Sequence, residues 1–305
     1  MRLLPLLLML TVPLLTKAQD STVNFEKKIV TLKEVVIRNN LNVAKFIKRV
    51  KDDTTFHKAF LNLKILGYTS INDIRMMDRK RQIVASLNSK TQQFRSDTCR
   101  WTTTINEKST GDIYNNQKQF NYYTAQMYAS IFLAPDTVCG ETNIVAGTEF
   151  STAGKSGISK HKEQLKMLFF NPGKRIPGLP FIGNKVALFD KDVAENYEFI
   201  IDMEEYRGKT CYVFKIVPLP DKKSNIVINE MTTWFNVDNW DIEARNYDLS
   251  YGAGVYDFDV HIEVEMMKFG EYLVPKVMRY NGNWDVVFKK RERGIFTATL
   301  FDFRK

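Results

Sequence analysis

Residues 256–266 read Tyr256-Asp257-Phe258-Asp259-Val260-His261-Ile262-Glu263-Val264-Glu265-Met266. Every even position is apolar or aromatic and every odd position is acidic or imidazole. A strand turns successive side chains to opposite faces, so this segment has one dry face and one wet face. The neighbouring sequence repeats the theme. From Lys185 to the end, strand-like runs fall at 186–189, 197–203, 210–217, 226–235, 243–251, 256–267, 272–280, 284–290 and 295–303. Gly208, Asp221, residues 236–239, residues 252–254, Phe269-Gly270 and Asn281-Gly282 separate them, and Asn281-Gly282 is the best short hairpin signal of the set. Short links between successive strands make an antiparallel meander. Runs such as Cys211–Val217 are apolar on both faces and predict strands covered on both sides.

The first half is more mixed. Val43, Phe46, Ile47 and Val50 stand at helical spacing, with Lys45, Lys48, Arg49 and Lys51 on the other faces, which predicts a helix docked on a sheet. Strand-like runs follow at Leu61–Leu66, Tyr68–Ile74 and Cys99–Ile105, with turn chemistry at Gly67, Asn72-Asp73 and Gly111-Asp112. Residues 122–133 fit a strand or a helix. Residues 148–157 are loop. They hold Gly154-Lys155-Ser156, but Glu149 stands where a phosphate-binding loop needs its first glycine, so nucleotide binding is rejected. A second amphipathic helix is expected over Ser159–Phe170, with His161, Leu165, Leu168 and Phe169 on one face, stopped by Asn171-Pro172-Gly173. The connector 174–185 then displays Ile176, Leu179, Phe181 and Ile182. It is either packed over an apolar opening or mobile beside one.

The N-terminus gives a compartment. Arg2, the apolar stretch Leu3–Leu15 and Thr16-Lys17-Ala18 read as a secretory leader cleaved after Ala18. Pro5 and Pro13 and the short length exclude a membrane span. With Arg2 and Lys17 removed, the formal charge falls from +9 to +7. An exported, mildly basic chain suits an anionic surface, and nucleic acid is not an expected partner. Of three cysteines, Cys99 and Cys139 lie in polar surroundings and can pair, whereas Cys211 reads as a buried thiol.

No nucleophile elbow, zinc-binding helix or paired-carboxylate motif occurs, and the residues make no positive case for an enzyme or a cofactor. Asp257, Asp259, His261, Glu263 and Glu265 share one strand face, but without a second ligand cluster they read as a solvated face paired with Lys289, Arg291 and Arg293 rather than as a metal site. His161 reads as packed or capping, and Asp53-Thr54 before His57 as helix-start chemistry. The basic run Lys289–Arg293 guards a strand, or contacts anionic headgroups.

A broad meander with one early helix and one helix ahead of the final strands resembles the half-open barrel of bacterial lipoprotein carriers and their LolA-like relatives. Residues 231–238, Met-Thr-Thr-Trp-Phe-Asn-Val-Asp, look like the strand-ending turn of that superfamily, and Arg245 matches the basic residue of the strand that follows. Residues 207–214, Arg-Gly-Lys-Thr-Cys-Tyr-Val-Phe, look like its turn-then-strand. The chain also resembles exported proteins of Bacteroidetes-type bacteria. The resemblance implies a mainly β (α+β) fold: an antiparallel half-open barrel whose concave apolar face is roofed by the 159–170 helix. It implies a lipid or other apolar ligand held by Leu165, Leu168, Phe169, Phe181, Phe214 and Trp234, with Arg245 on an anionic headgroup. The expected organisation is a leader (1–18), an early helix and first strands (19–157), and a lid helix with the C-terminal meander (158–305), continuous with 42–157. The rivals are an outer-membrane β-barrel, and a structural envelope protein whose own side chains fill the hollow.

Overall fold

The computed structural model describes residues 21–25, 28–33, 41–133, 136–144, 167–176, 182–223, 226–252, 256–286 and 291–305. The leader-like residues, the 148–157 loop, most of the expected lid helix, Phe181 and Lys289 lie outside them.

Thirteen strands form one sheet: β1 (Ser21–Phe25), β2 (Lys28–Leu32), β3 (Gly67–Met77), β4 (Ile83–Ser96), β5 (Cys99–Gly111), β6 (Val138–Cys139), β7 (Tyr197–Tyr206), β8 (Lys209–Pro218), β9 (Ile228–Asn236), β10 (Ile242–Gly252), β11 (Tyr256–Phe269), β12 (Tyr272–Val286) and β13 (Glu292–Arg304). Their spatial order is β1-β2-β7-β8-β9-β10-β11-β12-β13-β3-β4-β5-β6. The β2–β7 pair is parallel, and the other pairs are antiparallel. The sheet ends in β1 and β6 without closing, so the body is a half-open barrel. Cys99 and Cys139 pair across β5 and β6 in a disulfide.

The β11 alternation sets the two faces. Phe258, Val260, Ile262, Val264 and Met266 are buried on the core face. Register carries that face across the sheet. One row of cross-strand partners runs Ile201, Phe214, Thr233, Arg245, Val264, Met278, Ala298, Asn72 and Ser89, and each of these residues is buried. The next row runs Phe199, Ile216, Met231, Tyr247, Ile262, Tyr280, Phe296, Ile74 and Leu87, also buried. Burying each large apolar side chain contributes roughly 1.5–3 kcal/mol, so a one-residue slip of any strand is strongly disfavoured.

Helices cover the core face. Helix α1 (Val43–Asp52) starts at Asn42, whose Oδ1 accepts from Lys45 N at 2.9 Å, and buries Phe46, Ile47 and Val50 as expected. Helix α2 (Thr55–Asn62) follows at once, so the described residues of the early region hold two helices where the spacing predicted one. Asp53 Oδ1 accepts from the Thr55 amide and hydroxyl, which supplies the anticipated start chemistry. Leu61–Leu66 is therefore not a strand: it finishes α2 and continues through a 3₁₀ turn (Leu63–Ile65). The ambiguous 122–133 segment contains helix α3 (Tyr123–Phe132), which borrows its cap from β13: Glu292 accepts from the Tyr123 and Thr124 amides at 2.7 and 2.8 Å. A short helix α4 (Lys191–Ala194) precedes β7.

Four further expectations are corrected. Strand β4 was missed because Ser89, Thr91 and Gln93 occupy its core face. They are buried because they are bonded: Asn72 Nδ2 donates to Ser89 Oγ and Thr91 Oγ1, and Gln93 Nε2 donates to the Leu63 and Leu66 carbonyls. Asn72-Asp73 is likewise mid-strand in β3. Residues 186–189 are a buried turn segment rather than a strand, and the connector's Ile176 and Ile182 are buried rather than displayed.

Asn281-Gly282 is not a hairpin turn but the middle of β12, which runs unbroken over Tyr272–Val286 where two strands were expected. The glycine answers a close approach: a Cβ there would lie 2.0 Å from Tyr280 Oη. That phenol accepts from Trp284 Nε1 at 2.5 Å, and its ring stacks on Phe296 at 4.7 Å. The ring is too tightly held to yield. Gly282→Ala is expected to cost about 1–3 kcal/mol, read as a lower urea midpoint with unchanged slope. A midpoint equal to wild type would contradict this packing.

Candidate functional site

The register row that brings Phe214, Thr233 and Arg245 side by side also builds the most unusual spot on the core face. Arg245 is 6% exposed. Its Nε donates to Thr233 Oγ1 at 2.9 Å, and its Cζ lies 4.3 Å from the centre of the Phe56 ring on α2. No described carboxylate is within ion-pair distance. Burial holds the guanidinium below its ordinary pKa, and Asp53 offsets this only from farther away. A cation withdrawn from water against an aromatic face, with one hydroxyl as partner, is costly unless something completes it.

Residues 167–176 and 182–190 roof this part of the core face. The helical turn at 167–170 buries Met167, Leu168, Phe169 and Phe170. Phe169 packs edge-on between Tyr280 and Trp284, with ring centres 5.9 and 5.6 Å away, and Phe170 lies 4.5 Å from Phe60 of α2. Tyr247, next to Arg245 on the core face, donates its hydroxyl to the Phe169 carbonyl. The turn ends in Asn171-Pro172-Gly173 as expected. Gly173 has φ +88°, a left-handed backbone that strains any other residue, and a Cβ there would sit tightly, 3.1 Å from Leu188 Cδ1.

A cleft of about 510 Å³ opens between this roof and α1, lined by Lys51, Asp52, Lys174, Arg175, Phe189 and Asp190 among others. Lys174 Nζ donates to the Lys51 carbonyl. Burial lowers the Lys174 pKa, Asp53 opposes that, and Arg245 lowers it further. Arg175 is held by Asp190 at 2.5 Å. At the inner end, Phe189 stacks on Phe199 and Phe214 at 5.9 and 6.5 Å. The cleft thus runs from the exposed Lys51 past the half-buried Lys174 to the Phe189 ring.

Of the residues expected to bind, Leu168, Phe169, Phe214 and Arg245 come together on the core face. Leu165 and Phe181 lie outside the described residues. Trp234 faces the other way, because Thr233 and Phe235 take the core positions of β9. It donates Nε1 to Glu204 at 2.5 Å and packs on Tyr206 at 5.2 Å. Phe56, Lys174, Phe189 and Tyr247 were missed. Phe56 and Phe60 at i, i+4 could have revealed α2, but nothing local marks the other three.

The outer face is charged. Glu265 pairs with Arg207 and Arg279, Glu263 with Arg279, and Asp257 with Arg291, so the acidic face of β11 is largely neutralised, Arg291 coming from the anticipated basic run. No group of three potential ligands able to hold a metal occurs among the described residues. Cys211 is buried, its thiol raised to about 11 by burial and then by Glu243. His57 on α2 is lowered to about 4 by burial and by Lys64.

His261 lies between Asp248 and Glu263 at 2.7 and 3.2 Å; burial lowers its pKa, but the bonds and charges of both carboxylates win and raise it. A folded pKa above the unfolded value means that stability is fully present below about pH 6.5 and is lost as pH rises through the raised value. His261→Gln is therefore expected to lower stability at pH 5.5 by about 0.5 kcal/mol for so exposed a site, read as a lower melting temperature, and to leave the melting temperature unchanged at pH 9. An equal loss at both values would contradict the assignment.

Among the described residues, no helix is long and apolar enough to cross a membrane. No family model matches the chain, and no curated protein matches it in sequence. Solved structures to which it is similar include three bacterial proteins. A DUF1329 family protein from Desulfovibrio piger is 11% identical over 82% of this chain and 93% of that one, with a TM-score of 0.26. An outer membrane lipoprotein-sorting protein domain from Vibrio parahaemolyticus is 7% identical over 78% and 84%, with a TM-score of 0.27. A LolA superfamily protein from Nitrosomonas europaea is 8% identical over 82% and 91%, with a TM-score of 0.24.

Proposed function

We propose that this protein is a non-enzymatic binder of an amphiphile: an apolar chain taken up on the core face, with an acidic head against Arg245 and Lys174. The observation that carries this reading is the buried guanidinium with no described carboxylate partner, near enough to Lys174 of the Phe189-walled cleft for the two charges to act on each other. An arriving carboxylate or phosphate supplies the missing charge, and the chain lies along Phe189, Phe199 and Phe214. Because Leu168, Phe169 and Phe170 are buried over the core face, entry requires the segment around Phe169 to move and the Tyr247–Phe169 bond to break. Leu168 and Phe169 then act as the intrinsic occupants that the ligand replaces, with Leu165 and Phe181 of the same two segments assigned to the ligand's surroundings.

The leader-like N-terminus supports an exported setting, where lipids and their fragments are available. A membrane-spanning barrel fits less well: the outer face carries Lys215–Glu230, Arg279–Glu265 and His261–Asp248 contacts where such a barrel needs an apolar band.

Native mass spectrometry and calorimetry with palmitate and 1-hexadecanol test the reading. Wild type is expected to bind palmitate more tightly than the alcohol. Arg245→Met is expected to weaken palmitate by about tenfold or more, roughly 1.4 kcal/mol, and to leave the alcohol unchanged. Because the buried charge is removed together with its desolvation cost, the melting temperature of the unliganded variant should not fall. Absence of binding to both ligands, or equal binding of both by wild type and variant, would sink the proposal.

A further inference from the structure

A second cleft, of about 510 Å³, lies on the outer face, where β11, β12 and β13 meet the β3–β4 turn. Three guanidiniums line it: Arg79 and Arg81 from the turn, and Arg293 from β13. The turn is built to present them. Asp78 spends its carboxylate on the Lys80 and Gln82 amides at 2.8 and 2.9 Å, and its carbonyl accepts from Arg81 N at 3.1 Å. Arg81 is held in the left-handed region at φ +62°. Arg293 Nη1 donates to the same Asp78 carbonyl at 3.4 Å, which ties the β13 guanidinium to the turn. The turn's own acid is therefore consumed by backbone, and none of the three arginines has a carboxylate partner among the described residues.

The opposite wall is polar. Asn281 and Asn283 line it from β12, and the Asn283 amide oxygen is sheltered from water and receives no hydrogen bond. Asp259 is the one carboxylate of the lining. Three cations against one anion favour a negatively charged guest, and guanidinium forks match the oxygens of a phosphate. The sheltered amide oxygen calls for a hydroxyl donor on the same guest. At the rim, Ile83 and Ile295 are exposed.

We infer that this cleft is a second binding site, separate from the core face, for a phosphate ester that carries hydroxyl groups. Free glycerol phosphate and the headgroup of a phosphatidylglycerol membrane share that chemistry. Isothermal titration with glycerol phosphate and flotation with phosphatidylglycerol vesicles, with phosphatidylcholine vesicles as the uncharged comparison, separate the two sources. Arg79→Gln/Arg81→Gln changes only exposed turn residues, and its melting temperature is checked against wild type. The double variant is expected to lose about tenfold or more in affinity, while Arg175→Gln, in the core-face cleft, loses nothing here. Loss on titration with glycerol phosphate assigns a soluble guest. Loss confined to phosphatidylglycerol vesicles assigns the headgroup. Failure of wild type to bind either probe, or binding that the double variant retains in full, overturns the inference. Palmitate binding is unaffected by the double variant in every case, so this site and the core-face site stand or fall separately.

Discussion

A strand whose alternate side chains are dry on one face and charged on the other tolerates a single register against its neighbours. Strand β11 is such a strand, and its pairing passes the constraint on through β10, β9 and β8 in one direction and β12, β13 and β3 in the other. The rows that result place Thr233 beside Arg245 and Phe214, Tyr247 over the Phe169 carbonyl, and Trp284 beside Phe258. Slip β11 by one residue and the acids enter the core while Val260, Ile262 and Val264 meet water. Each large apolar side chain moved that way costs roughly 1.5–3 kcal/mol, more in sum than the margin by which a domain is stable.

Within that frame Arg245 is the exception that needs a reason. It occupies a core-face position as the row demands, yet it carries a charge. Its neighbours soften the cost without removing it: a threonine hydroxyl, the face of Phe56, and Asp53 at longer range. Around it the chain has set a roof held by aromatic packing and by side-chain bonds such as Tyr247 to the Phe169 carbonyl and Lys174 to the Lys51 carbonyl, with a lysine-edged cleft alongside. Such a roof is easier to lift than a strand, because no ladder of hydrogen bonds fixes it.

Much of the architecture was legible, because alternation and turn chemistry are local. The β7–β11 meander, helix α1 and the Pro172-Gly173 stop all follow from residue type and spacing. What stayed hidden was set by distant partners. Strand β4 reads as a polar run until Asn72 and the Leu63 and Leu66 carbonyls are seen to satisfy Ser89, Thr91 and Gln93. Helix α3 has no cap of its own and takes one from Glu292. Asn281-Gly282 carries a turn signature, but its glycine serves the Tyr280 ring. At the site, Arg245 was picked out by resemblance alone. The sequence around Trp234 could not say which of Thr233 and Trp234 would face the core, because a bulge in the β9–β10 pairing shifts the alternation.

The most direct test of the account is a structure of the protein crystallised with palmitate. The carboxylate is expected at about 3 Å from the Arg245 guanidinium, the range of a charge-assisted hydrogen bond, with its chain against Phe189 and Phe214 and the segment around Phe169 displaced from Tyr247. A ligand bound elsewhere, with Phe169 still seated between Tyr280 and Trp284 and Arg245 still alone with Thr233, would contradict it.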